Sequence, residues 1–186
     1  VLSFLAIGAL QHHLNIIQHD AIHRHLVTNP KWNEFLGKLT SYPIGFTMKY
    51  RLNHFSHHVG FATPKDPDYD NYCKFPNLLS FMVADFTRCL VGVAGVTQYL
   101  RTKFGKGRDT TDGEAFDKEL IGVALTQLFI FAVLALTSHW IFYFTLWLLP
   151  LATLAKTLTR IRNVAEHVML RSQWRAGAFA IAYVSL

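Results

Sequence analysis

One uncharged stretch constrains this chain more than any other feature. From Leu120 to Leu149 there is no Lys, Arg, Asp or Glu, and the run continues through Pro150 as far as Lys156. Its main polar break is Thr137-Ser138-His139. Two helices of about 18 residues, over roughly 120–137 and 140–157, would each be about 27 Å long at a rise of about 1.5 Å per residue. That length matches the hydrocarbon layer of a bilayer, so the pattern predicts a tight transmembrane hairpin. Trp140, Tyr143 and Trp147 suit its interfacial half. Pro150 should kink the second helix and release a carbonyl, which packed membrane helices tolerate. A chain of 186 residues is too short to bury such a hairpin inside a water-soluble core.

Composition points the same way. The chain is 51% hydrophobic and 14% aromatic, which excludes a disordered segment, and its 16% charged residues fall below the level of ordinary soluble domains. Cys73 and Cys89 make no CxxC pair and no disulfide framework. The net charge of +6 is not that of a nucleic-acid binder, because all 18 Lys and Arg lie in residues 24–118 or 156–175. Two crossings return the chain to its starting side, so both basic stretches share one face. By the positive-inside rule that face is cytoplasmic, or its matrix or stromal equivalent, with Arg24, Lys118, Lys156 and Arg160 near the span ends weighing most. Residues 1–18 read as the end of an earlier span, 19–118 as a cap, 119–157 as the hairpin and 158–186 as a following helix. The expected fold class is therefore all-α, a single integral membrane helical bundle with a histidine-lined helical cap on one face. The valine at position 1 and the mere remnant of earlier spans point to a truncated chain, and no cleavable signal peptide is apparent.

Ten histidines are the chemical signal. His19 and His23 are spaced i, i+4, which places both on one helix face. His54, His57 and His58 repeat that spacing with a third member, and Asn163 and His167 repeat it after the hairpin. Neutral imidazole is a ligand for Fe, Zn, Cu and Ni, and this many imidazoles would repel one another on protonation. Six exceed the needs of one tetrahedral zinc and fit two metals with open positions better. His139 reads as an interfacial bystander in the turn, and His13 and His25 as outer or surface groups. Asp20 and Glu166 either orient imidazole N–H groups or form surface ion pairs with Arg24, Arg160 or Arg162.

The order HDAIH, a spacer over 24–53, HFSHH, a hydrophobic hairpin and NVAEH resembles the membrane fatty acid desaturase family. Asn29, Asn33, Gly37, Pro43-Ile44-Gly45 and Arg51 in the spacer, and Thr63 with Asp66-Pro67-Asp68 after the second box, are similar as well. The resemblance covers roughly residues 8–168. It implies a non-haem diiron centre of two Fe ions that uses O2 to remove hydrogen from an acyl chain. His19, His23, His54, His57, His58 and His167 would be ligands, and Asn163 would reach the metal through water. His12 matches a histidine often found ahead of the first box. The implied partners are the lipid bilayer, an acyl-lipid substrate and an electron donor such as cytochrome b5 or a ferredoxin. One departure stands out: the family has a further HxxHH, and no histidine follows His167 here. Two other readings share these motifs, a lipid or carotenoid hydroxylase or ketolase, and a desaturase-like non-catalytic subunit of a larger membrane assembly.

Among the remaining segments, residues 77–100 are apolar but interrupted by Asp85 and Arg88, which predicts an interfacial helix rather than a span. The glycine- and charge-rich stretch 101–119 matches no phosphate-binding loop and reads as linker. The DPDYD run reads as a turn rather than a cation site.

Overall fold

A computed structural model describes residues 1–61, 63, 65–67, 78–93 and 113–167. Helix α1 (Leu2–Ile22) carries the first pair of histidines at its end, α2 (Pro30–Ser41) follows, and α3 (Tyr50–Gly60) carries the second cluster. Helix α4 (Leu78–Leu90) precedes the long α5 (Gly113–Leu136), and α6 (Lys156–His167) closes the described part. No strand is present among the described residues. The expected segments 101–112 and 168–186 lie outside them.

Helix α1 ends in a Schellman arrangement. Arg24 N–H donates to the Ala21 carbonyl at 3.0 Å and His25 N–H to that of Asp20 at 2.9 Å. Arg24 occupies the left-handed region (φ 62°), a conformation that costs a non-glycine residue about 1–2 kcal/mol. Helix α2 then starts from Pro30, whose missing N–H costs nothing at a helix start, while the Asn29 side chain accepts from Lys31 N–H at 2.9 Å and Trp32 N–H at 3.3 Å. Gly37 lets α2 approach closely: a Cβ there would meet the Met48 side chain at 2.7 Å and Ala21 Cβ at 2.9 Å. Ala21, Ile22 and Met48, with Leu26 against them, form the small apolar core beneath the histidine-bearing helices.

The hairpin differs in detail from the expectation. Helix α5 runs to Leu136, and Ser138 (φ 61°) closes it with the same Schellman pattern, His139 N–H donating to the Leu134 carbonyl at 2.7 Å. The chain reverses there, and Tyr143 Oη–H donates to Gln127 Oε1 at 3.1 Å across the two legs. Where a helix kinked at Pro150 was expected over 140–157, the return leg has π-helical turns at Tyr143–Leu148 and Leu151–Ala155, on either side of buried Pro150. A proline removes one ladder donor, and wider turns accommodate the loss. Gln11 Nε2–H donates to the Trp147 carbonyl at 2.9 Å, serving an acceptor in this disrupted region. Among the described residues, Lys118–Leu136 is the one helix long and apolar enough to cross a membrane, and none of that run is buried.

The elements gather at one end. Gln127 Nε2 donates to the carbonyls of Tyr42 and Pro43, and Glu119 accepts from Met48 N–H at 2.8 Å, so the start of α5 abuts the α2–α3 connection. His12 Nδ1 lies 3.1 Å from Thr159 Oγ1 and His19 Nδ1 3.4 Å from Arg162 Nη2, so α6 runs alongside α1 in the same direction. Helix α4, expected as an interfacial helix, packs against α6 with buried Cys89 and an Asp85–Arg160 ion pair. The turn at Ser138 lies at the opposite end of α5 from the contact that Glu119 makes with the α2–α3 connection.

Candidate metal centre

The end of α1 is held by groups from two other helices. The Ala21 carbonyl accepts from Asn33 Nδ2 at 2.7 Å and Arg51 Nη2 at 3.2 Å, and the Ile22 carbonyl from Arg51 Nε at 3.2 Å. Asn33 Oδ1 in turn accepts from Leu26 N–H, and Arg51 Nη1 pairs with Glu34 at 3.1 Å. A guanidinium at a helix C-terminus meets the negative end of its dipole. Arg51 stands one turn before His54, so the same side chain that caps α1 fixes the first histidine pair against the second cluster.

Four rings converge there. The ligand atoms of His19, His23, His54 and His58 all lie within 4.8 Å of one another. His54 Nε2 sits at the centre, 2.8 Å from His23 Nε2 and 3.0 Å from His58 Nε2. His54 is buried, His19 and His23 are half-buried, and His58 is exposed. Burial, and then the neighbouring His19, His58, His23 and His57, push the His54 pKa down to about 2. His23 is lowered too, by burial first and then by His58 and His25. His54 and His23 are therefore held as neutral imidazoles with lone pairs to give.

Hydrogen bonding satisfies this arrangement poorly. His54 Nε2 is either one donor or one acceptor, yet two ring nitrogens face it at bonding distance. A metal ion satisfies it well. With imidazole–metal bonds of about 2.1 Å, ligands at right angles stand about 3.0 Å apart, which is the spacing seen. Two nitrogens at that spacing from His54 Nε2, on two helices fixed to each other by Arg51 and Asn33, fit a first-row metal.

The other expected site residues fall in several places. His57 is buried but outside the foursome, with Nδ1 2.8 Å from Asp66 Oδ1. Asn163 is half-buried on α6, one turn beyond Thr159. His167 closes α6, and its side chain and that of Glu166 lie outside the described part. Asp20 is 3.8 Å from His19 Nδ1, too far for a hydrogen bond, so orientation of that ring by Asp20 is not seen. His25 stacks on His23, with centroids 5.6 Å apart. His13 lies 3.1 Å from the carbonyl of Ala9 in its own helix, and His139 is exposed in the turn. The DPDYD run begins in a turn, as expected for Asp66 and Pro67, while Asp68 onward lies outside the described residues. Sequence reasoning missed Asp66 as the partner of His57, and missed what Arg51 and Asn33 do. The signal for Asp66 was an acidic residue in a short turn directly after the second cluster.

A chain whose described residues form helices and no strand, with histidines converging from two of those helices at one end, defines a candidate metalloprotein of the histidine-box type. A model of the fatty acid desaturase family matches residues 1–183, and the chain belongs to that family. It is similar to the dihydrorhizobitoxine desaturase of Bradyrhizobium elkanii, 45% identical over 71 residues. That match covers 36% of this chain and only 20% of the relative's length. No solved structure matches significantly. Family membership makes the chain fatty-acid-desaturase-like.

Proposed function

We propose that this chain contributes to a membrane-bound non-haem diiron oxidoreductase that desaturates a fatty acyl chain or related lipid with O2. The observation that carries this reading is the meeting of His23, His54 and His58 at ligand-pair distances within a family of desaturases. His19, His23, His54, His57 and His58 would hold the metal, with His167 and Asn163 added by their match to the family motif. When bound, two iron ions supply O2 activation and removal of hydrogen from an unactivated methylene. The chain's own residues prepare that site. Burial keeps the His54 ring neutral, Asn33 and Arg51 fix α1 against α3, and the carbonyls they cap are kept from competing for solvent.

Support for the membrane comes from the apolar exposure of α5. Ile121, Leu125, Leu128, Phe129, Val133 and Leu136 all face outward, as in a lipid-facing helix. In this reading the hairpin crosses the bilayer, Lys118 and Lys156 mark the cytoplasmic or organellar equivalent side, and the histidines lie on that side. A cytochrome b5 or ferredoxin would supply electrons there.

The test is product analysis with the full-length protein in detergent or vesicles, an acyl lipid, O2 and a reductant system. Mass spectrometry should show loss of two hydrogens from the substrate. A gain of oxygen instead assigns the chain to a hydroxylase or ketolase. An iron-loaded, folded protein that converts no acyl lipid or carotenoid favours a non-catalytic subunit and overturns the proposal.

A further inference from the structure

The second histidine cluster is followed by a turn that folds straight back onto its own helix. Thr63 N–H donates to the Gly60 carbonyl at 2.9 Å, and Thr63 Oγ1 donates to the same oxygen at 2.6 Å. Lys65 N–H reaches Thr63 Oγ1 at 3.3 Å and Asp66 N–H the Thr63 carbonyl at 3.0 Å. This winding leaves little room for a side chain at the helix end. A Cβ on Gly60 would stand 3.1 Å from Asp66 N and 3.2 Å from the Lys65 carbonyl oxygen, both of them backbone atoms. The turn delivers the Asp66 carboxylate to His57 Nδ1 at 2.8 Å, with the His57 side chain 4% and the Asp66 side chain 1% exposed.

A carboxylate is an acceptor, so this contact fixes the proton of neutral His57 on Nδ1. The lone pair is then on Nε2, the same nitrogen that His23, His54 and His58 bring together. The rotation of the ring is fixed by the same bond. A nearly inaccessible carboxylate facing a nearly inaccessible imidazole is also costly to assemble for stability alone, since a neutral packed pair would avoid the desolvation. An arrangement that selects one tautomer of a ligand and raises its basicity gives that cost a purpose.

We propose that Asp66 is a positioning residue for metal binding, holding His57 in the Nδ1–H tautomer, with Thr63 and Gly60 forming the turn that delivers it. This rests on the metal-centre reading above, and cobalt(II) separates the two. Full-length protein in detergent micelles is titrated with cobalt(II) against a chelator, following the visible ligand-field band. Asp66→Asn keeps the side-chain size and the backbone of the turn but removes the charge that selects the tautomer. It should lower cobalt affinity by about 10–100-fold and shift the band. In a His57→Ala background the same substitution should have no further effect, because Asp66 acts through that ring. Gly60→Ala, which leaves every histidine and Asp66 in the chain, should weaken cobalt binding in the same direction by pushing the turn off the helix. Equal affinity and an unchanged band in Asp66→Asn would overturn the inference and leave the metal centre standing. An equal loss in both backgrounds would also overturn it, by making Asp66 a general structural group. A wild-type protein that takes up no cobalt would overturn both readings.

Discussion

Replacing Arg51 by methionine should loosen the whole histidine end of the molecule. Methionine keeps an unbranched apolar stem but removes the guanidinium, which donates to the Ala21 and Ile22 carbonyls at 3.2 Å each and to Glu34 at 3.1 Å. A hydrogen bond from a charged donor contributes about 1.5–3 kcal/mol. The Ala21 carbonyl keeps Asn33 Nδ2 and Arg24 N–H as donors, so its loss counts at the low end. The Ile22 carbonyl, at the end of a nearly inaccessible residue, loses its guanidinium donor. The Glu34 pair, partly exposed, adds less than about 1 kcal/mol. The sum is about 3–5 kcal/mol, which for a chain of this size lowers a thermal midpoint by about 6–20 °C. Arg51→Lys should fall between wild type and Arg51→Met, since an ammonium cannot serve two carbonyls and a carboxylate in one fork. The assay is thermal unfolding of the metal-free full-length protein in micelles, paired with cobalt titration of the same samples. Affinity should fall along with stability, because Arg51 sets the first histidine pair against the second cluster. An Arg51→Met protein with an unchanged midpoint and unchanged cobalt affinity would refute the reasoning.

Three other outcomes follow from the packing. Lowering pH below about 6.5 should destabilise the metal-free protein: His54 has a folded-state pKa of about 2, so the unfolded chain binds its proton first, and stability should fall by on the order of 1 kcal/mol per pH unit. A midpoint unchanged between pH 7 and pH 5, with His54→Gln behaving identically, would contradict this. Gln127→Leu should cost about 2–3 kcal/mol by thermal unfolding, since it strips the Tyr42 and Pro43 carbonyls and the Tyr143 hydroxyl of their shared partner. Asp85→Ala should cost about 3 kcal/mol, because it leaves the largely buried Arg160 without that carboxylate, and an Asp85→Ala, Arg160→Met double variant should recover part of the loss.

The histidine boxes were legible because their chemistry is local. A spacing of i, i+3 and i+4 puts rings on one face of any α-helix, and α1 and α3 are such helices. The reversal at Ser138 was legible for a similar reason, as the main polar break in a long uncharged run. What periodicity cannot distinguish is an α-helical turn from a π-helical one, so the widened turns around Pro150 emerged only in three dimensions. The targets of Arg51 were also hidden. A side chain that caps the carbonyls of a helix some thirty positions earlier leaves no local pattern, and Arg51 stood out only through its resemblance to the family spacer. Asp66 was read as part of a turn, correctly, but its bond to His57 depends on how closely that turn returns to Gly60. Asp85 and Arg160 were noted separately as charges near apolar segments, and their pairing across α4 and α6 is a matter of tertiary packing.

The central claim is that the histidines of α1 and α3 are ligands of an iron centre, and counting iron tests it most directly. Full-length protein purified under reducing conditions, with iron measured by mass spectrometry against protein concentration, should carry close to two irons per chain. His54→Leu, which removes the ring at the middle of the cluster, should lower that number sharply while helical circular dichroism is retained. Fewer than one iron per chain in a folded wild-type protein, or a His54→Leu variant with undiminished iron, would contradict the account.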